Sequence, residues 1–330
     1  MSRVAQTLLM ATVLGMTRWA GLASANIVEF RDEPGVLKIL IDGETVASYV
    51  CKNNPIGRPY FHDVRTRGGI TVTRPYPPDP VANKDNDDHA NLHPGLWLAF
   101  GDVSGYDYWR NKVPVRHSRY VRAPEGGEGI GRFSVINVYC KDTVSAEPVF
   151  TETCEYTIRT TPSGYCIVSQ SMFTPAGDSQ TISFGDQEEM GLGVRIDTRF
   201  TVKFGNGSIV NSEGGTNESG TWGKAADWCA YVGEQDGRRV GVMMIPSPGN
   251  FRKSWFHTRD YGLMVANPFA EKAMTAPDDN AVSPDSTEVK RGESLSLGFC
   301  VLVLDEAAEI PFDGSRAFAE CVNMMDKKSE

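Results

Sequence analysis

Two histidines four residues apart, His89 and His93, stand in the densest run of chemically versatile side chains in the sequence. Asp85, Asp87 and Asp88 precede or adjoin them, and Trp97, Asp102, Asp107 and Trp109 follow. An imidazole exchanges protons near neutral pH, and an adjacent carboxylate such as Asp88 can orient its ring through one N–H. An i, i+4 histidine pair would serve two metal ligands on one helix face. Asn91, Pro94 and Gly95 oppose a helix there, so the pair is expected on a loop. The run Asp85–Asp88 lacks the glycine and distal glutamate of the helical calcium loop. Trp109, beside Arg110 and near the carboxylates of Asp102 and Asp107, suits a sugar subsite. There a ring stacks on the apolar face of the sugar while carboxylates take its hydroxyl hydrogens. Trp97 lies inside an apolar run and is expected in the core.

A second group is Trp255-Phe256-His257-Thr258-Arg259-Asp260-Tyr261, closing on Asn267. His257 tuned by Asp260 would act as acid or base, and Arg259 would clamp a carboxylate or polarise a carbonyl oxygen. The structural alternative is an Arg–Asp ion pair fastening a strand end. A third group, Arg58 to Thr66, offers Arg58, His62 and Arg65 as binding groups, or else a snug loop with a stacked arginine. Glu188 and Glu189 follow a strand and supply a second acid or, equally, surface charge.

These groups need a scaffold, and the sequence offers strands. Leu96–Phe100 reads as a short buried strand holding the first group at its two ends. Apolar alternation of period 2 runs through most of the chain, and it is clearest at 194–204. Asp42-Gly43 is a hairpin turn, and Pro162-Ser163-Gly164 and Gln235-Asp236-Gly237 are further turns. Only Ser315 to Met325 has a helical pattern, with Asp313 as its N-cap. The stretches 75–93, 105–128 and 268–293 read as long loops, which in compact folds are usually functional. The expected fold is all-β: a large antiparallel sandwich over residues 26–330, loops over one face, and a short C-terminal helix.

The formal net charge is −9, with no basic block, which excludes nucleic acid as an expected partner. Arg3, the apolar run Leu8–Met16 and Ala23-Ser24-Ala25 make residues 1–25 a secretory signal, and the expected location is periplasmic or secreted. No later segment approaches the ~18 apolar residues of a membrane span. The seven cysteines form no C-x-x-C pair, which argues against a zinc ribbon. An exported chain can carry one or two disulfides, with Cys140, Cys154 and Cys166 on neighbouring strands, or the thiols serve as small buried hydrophobes.

Five ordered motifs resemble one bacterial family. They are Arg-Pro-Tyr-Phe-His-x2-Arg-Thr (58–66), Thr-Arg-Pro-Tyr-Pro-Pro (73–78), Asp-His…His-Pro-Gly-Leu-Trp-Leu-Ala-Phe-Gly-Asp-Val (88–103), Ala-Asp-Trp-Cys (226–229), and His-x-Arg-Asp-Tyr-Gly-Leu (257–263) with Ala-Asn-Pro-Phe (266–269). Together they resemble the PmoA-like family (methane oxygenase PmoA) over about residues 30–305. The family pattern has Asp-His-Pro-His-His-Arg before Gly-Leu-Trp; this chain is one residue longer and one histidine poorer there. The resemblance implies a galactose-mutarotase-like β-supersandwich, a fold shared by many sugar-directed enzymes.

The expected function is thus an exported carbohydrate-active enzyme, a lyase, hydrolase or epimerase on a sugar or oxidised sugar, without a cofactor. His89, His93, His257 and Asp260 would move protons. Arg58, His62, Arg65, Asp102, Asp107, Trp109, Arg259 and Asn267 would bind the sugar or oligosaccharide. Two other readings stay open: a non-catalytic carbohydrate-binding module, and a metal-dependent oxygenase using a divalent metal.

Overall fold

A computed structural model describes residues 26–145, 147–275 and 286–325. The signal segment expected at 1–25 lies outside them. The chain runs through β1 (Val28–Glu33), β2 (Val36–Ile41), β3 (Glu44–Val50), β4 (Tyr60–His62), β5 (Leu96–Phe100), β6 (Val115–Gly126), β7 (Ile130–Cys140), β8 (Pro148–Thr161), β9 (Gly164–Pro175) and β10 (Thr181–Phe184). It continues through β11 (Met190–Arg195), a 3-10 turn (Thr198–Phe200), β12 (Ser208–Asn211), α1 (Asn217–Thr221), β13 (Lys224–Ala225), β14 (Cys229–Gln235), β15 (Arg238–Pro246), β16 (Trp255–Arg259) and β17 (Leu263–Asn267). The last elements are α2 (Glu271–Thr275), β18 (Thr287–Lys290), β19 (Leu295–Ala307) and α3 (Gly314–Met325).

The first sheet has nine strands in the order β1-β2-β3-β4-β5-β11-β17-β16-β13, and the second has eight in the order β12-β14-β15-β19-β9-β8-β7-β6. Their inner faces share one core, in which Leu37, Phe100 and Met264 of the first sheet meet Phe133, Phe173 and Val301 of the second. This is the large antiparallel sandwich that the alternating pattern dictates. Alternation along β5 shows how the sequence divides its faces. Leu96 and Phe100 enter the core, whereas Trp97 and Ala99 join a separate apolar cluster on the outward face. The helix α3 forms at the expected place, with Asp313 Oδ1 accepting the Arg316 amide at 2.9 Å. It covers the outward face of the second sheet, where Ala317, Cys321 and Met325 pack on Val168, Met243 and Leu302.

Several elements differ from expectation: the short helices α1 and α2 form outside the one helical pattern, and α2 and β18 lie within the loop expected at 268–293. The strand expected at 194–204 ends at Arg195 and gives way to the 3-10 turn. Residues within the loop expected at 105–128 form β6, an edge strand whose pairing with β7 shifts register three times. Its Arg116, Arg119, Arg122 and Glu125 lack apolar alternation, because an edge strand with broken register buries little of its surface. Among the described residues no helix is long and apolar enough to cross a membrane.

Candidate functional site

Outward-facing side chains on five neighbouring strands, β4, β5, β11, β17 and β16, stand in two rows. One row follows the pairs Trp97–Gly193, Gly193–Val265 and Val265–His257, with Tyr60 beside Trp97. The next follows Arg195–Leu263 and Leu263–Arg259. It begins at Gly95, whose carbonyl accepts the Arg195 amide at 2.7 Å, and His62 lies on its far side. At about 4.8 Å between strands, each row spans about 20 Å.

Glycine at 193 leaves the room that the first row requires. A Cβ there would lie 2.7 Å from the Trp97 ring and 3.2 Å from that of Trp109. The two indoles rest over it edge to face at 5.3 Å. From this base a column of rings climbs outward. His93 stacks on Trp97 at 5.2 Å, and His89 stacks on His93 at 5.2 Å. Trp97 and His93 are buried, but the His89 side chain is 52% exposed.

The stretch 75–95 that carries the histidines is an anchored wall. Asn83 and Asn86 both donate their side-chain amides to Thr198 Oγ1, at 2.8 and 2.9 Å. Buried Arg74 donates to the backbone carbonyls of Asn86 and Asp88 at 2.7 and 2.8 Å. Buried Arg195 donates to Asn86 Oδ1 at 2.6 Å and to Asp88 Oδ1 at 2.5 Å. The other Asp88 oxygen meets His89 Nδ1 at 2.5 Å. Partial burial pushes the Asp88 carboxyl up, but Arg195 and His89 outweigh it and hold the group below its ordinary value. A carboxylate only accepts, so His89 carries a proton on Nδ1 and its outer Nε2 is the atom left for chemistry. His89 also holds a backbone φ of +50°, a left-handed conformation that is uncommon outside glycine. His93 differs from its neighbour. Its Nδ1 faces an Arg195 N–H at 3.4 Å, and burial together with Arg195 keeps its pKa well below the ordinary value. It is a neutral spacer between Trp97 and His89.

The opposite wall centres on Arg259, whose guanidinium meets Glu218 at 3.1 Å and Glu188 at 3.7 Å and lies 5.4 Å from the centre of the Trp222 ring. Tyr261 joins the walls. Arg195 lies over its ring at 4.4 Å, and its hydroxyl, pushed up by burial, feels Arg195 and Asp88 on one side and Arg259 and Glu218 on the other. His257 is buried, with Nδ1 3.3 Å from the Glu188 carbonyl. That places a proton on Nδ1 and leaves Nε2 a buried acceptor with no protein partner. Burial, then Arg259, pulls the pKa of His257 down to about 4.

His62, His89, His93, His257 and Arg259 therefore share one face, a convergence that the sequence left open. Several other assignments need correction. Trp109 is fully buried over Gly193 and offers no ring for stacking in solvent. Asp260 does not orient His257: its carboxylate accepts the Glu218 amide at 2.8 Å. Asn267 is fully buried and spends its amide on the carbonyls of Gln187 and Glu188. Arg58 is buried against the Trp109 and Leu92 carbonyls and Asn111, tying two loops together. Arg65 pairs with its neighbour Asp63 at 2.7 Å. Asp102 closes the turn at Gly105, and Asp107 pairs with Arg110 and Lys112. Arg195, Arg74 and Tyr261 were given no role from sequence. Arg195 belongs to the charged half of an alternating stretch, which reads as solvent-facing until 75–95 is seen to cover it.

No curated protein matches the chain. It is similar to several solved structures at low identity. The galactosidase domain of an α-galactosidase–sucrose kinase is 9% identical, with a TM-score of 0.39 over 87% of this chain; the chain spans 40% of that protein's length. A putative aldose 1-epimerase from Escherichia coli K12 is 10% identical, with a TM-score of 0.38 over 84% of this chain and 99% of the other. A galactose mutarotase-like protein from Clostridium acetobutylicum is 11% identical, with a TM-score of 0.34 over 82% and 93%. The family model that matches carries a different name from the PmoA-like family that the motifs resemble. It covers residues 36–311, and the chain therefore belongs to that family, a family of unknown function (DUF6807).

Proposed function

We propose that this protein is an exported enzyme that moves a proton on a neutral sugar, as an epimerase or lyase does, with His89 as its acid and base. One observation carries the reading: the Asp88–His89 couple, fixed from below by buried Arg195, with the His89 ring half exposed to solvent. A carboxylate-oriented imidazole is the usual means of proton transfer near neutral pH. Tyr261 lies between this couple and Arg259. A neutral sugar fits better than an oxidised one, because the guanidinium of Arg259 is already committed to Glu188 and Glu218 and that of Arg195 to Asp88. What the walls offer is acceptors for hydroxyl hydrogens and the half-buried rings of Tyr261 and Trp222. Export is supported by the composition of residues 1–25. The motif resemblance to the PmoA-like family adds a proposed distant kinship. An oxygenase would want three convergent histidine or carboxylate ligands, and among the described residues this face assembles none within 4.8 Å.

The test is a panel of neutral sugars and uronates followed by proton NMR in deuterium oxide, with anomerisation, epimerisation, elimination and deuterium uptake as readouts. Wild type should turn over at least one neutral sugar. His89→Ala should lower that rate by about 10²–10⁴-fold while the fold is retained. Undiminished turnover in His89→Ala removes His89 from the mechanism, and saturable sugar binding without turnover in wild type makes the protein a binding module.

A further inference from the structure

Three cysteines meet on the side of the molecule away from this face. Cys166 on β9, Cys300 on β19 and Cys321 on α3 bring their sulfurs within 4.8 Å of one another. The sulfurs of Cys166 and Cys321 are 3.3 Å apart. All three residues are fully buried in the layer between α3 and the second sheet, among Val168, Leu302, Ala317 and Met325.

We propose that Cys166 and Cys321 are a disulfide pair that fastens α3 to the second sheet, with Cys300 the neighbouring thiol that remains reduced. The surroundings favour a disulfide over a metal. A centre of three thiolates would bury net negative charge in an apolar layer, whereas a disulfide is neutral. The basic residue of α3, Arg316, is engaged by Glu306 at 2.5 Å. The Cys321 thiolate attacks an external disulfide and expels one thiolate from it. The Cys166 thiolate then attacks the Cys321 sulfur of the mixed disulfide and expels the second. Across both steps the protein gives up two electrons and two protons, and the external disulfide becomes two thiols. Since the folded protein exposes none of the three residues, the exchange precedes the docking of α3. The bond would join residues 155 positions apart, a long loop and thus a large constraint on the unfolded chain.

The proposal takes its oxidising environment from the export reading, and the experiment separates the two. The full chain is unfolded, reduced, and refolded with oxidised glutathione. Its free thiols are then alkylated in denaturant and counted by mass, and linked peptides are mapped. Five alkylated thiols and a Cys166–Cys321 peptide are expected, with a Tm about 5 °C lower after reduction. Cys300→Ala should keep the link. Seven alkylated thiols overturn the pairing. So does a link between any other two cysteines, or a metal bound one to one that shields three thiols until a chelator removes it. A link that forms with glutathione yet is missing from protein collected from the source cell supports the pairing and counts against export.

Discussion

Asp88 serves two groups at once, and stability measurements can separate its roles. One oxygen orients an exposed imidazole, and the other neutralises a buried guanidinium. In Asp88→Ala, Arg195 would keep its charge in a buried place without its carboxylate partner, left to Asn86, His93 and the Tyr261 ring and close to the charge of Arg74. That change should cost about 1–3 kcal/mol in urea unfolding, less than a fully buried ion pair because Asp88 itself is half exposed and screened by water. His89→Ala removes a half-exposed ring and should cost less than about 1 kcal/mol. Both variants should lose activity, and only the first should lose stability. Sequence alone made the Asp88–His89 couple visible because adjacency brings the two groups together. It could not make Arg195 visible as a partner, since that contact is made across the sheet. Trp109 went astray for a related reason. A tryptophan beside an arginine and carboxylates reads the same whether its ring meets solvent or the sheet, and the space over Gly193 decides the matter.

Thr198 is the fastening between the 3-10 turn and the wall at 75–95. Its hydroxyl accepts two buried amides, so Thr198→Val would leave both Asn83 and Asn86 with an unmet donor. At about 1–3 kcal/mol for each such group, the loss should be at least about 2 kcal/mol. Protease cleavage within 75–95 should quicken well before the sheets unfold, which timed digestion and mass spectrometry would show. The same turn explains why the alternation at 194–204 misleads. Burial does not alternate there: residues 194–198 and Phe200 are all buried and only Arg199 is exposed, so the polar members of the pattern enter the protein with the apolar ones. The backbone leaves the ladder, because the Asp197 side chain accepts the Arg199 amide and starts a turn. Turns were easier to read: the hairpin at Asp42-Gly43 and the turn at Asp236-Gly237 both adopt the positive φ that such turns demand.

For the molecule as a whole, buried neutral histidines set the response to acid. His257, at about 4, stays neutral in the fold at pH values where the unfolded chain, with an ordinary value near 6.5, takes up a proton. Its contribution is therefore complete above pH 6.5 and is lost as pH falls from there to about 4, up to about 3 kcal/mol. His62 and His93 are shifted in the same direction, His62 by burial first and His93 by burial and then Arg195. Thermal melts at pH 7 and 4.5 should show the loss, with a smaller one in His257→Gln. The all-β class, the two-sheet arrangement and the C-terminal helix were legible because apolar alternation and turn chemistry are local signals. The strand order was not, and the site depends on it. Leu98 of β5 pairs with Leu192 of β11, and Leu192 pairs with Ala266 of β17. No stretch of chain holds both walls of the site. Closing such distant pairings is slow, because the entropy of loop closure is spent before the contacts form. In a refolding experiment hairpins and helices should return early, and sugar turnover should return last, when β11 zips between β5 and β17. Catalysis in this protein would then mark the end of folding more faithfully than circular dichroism does.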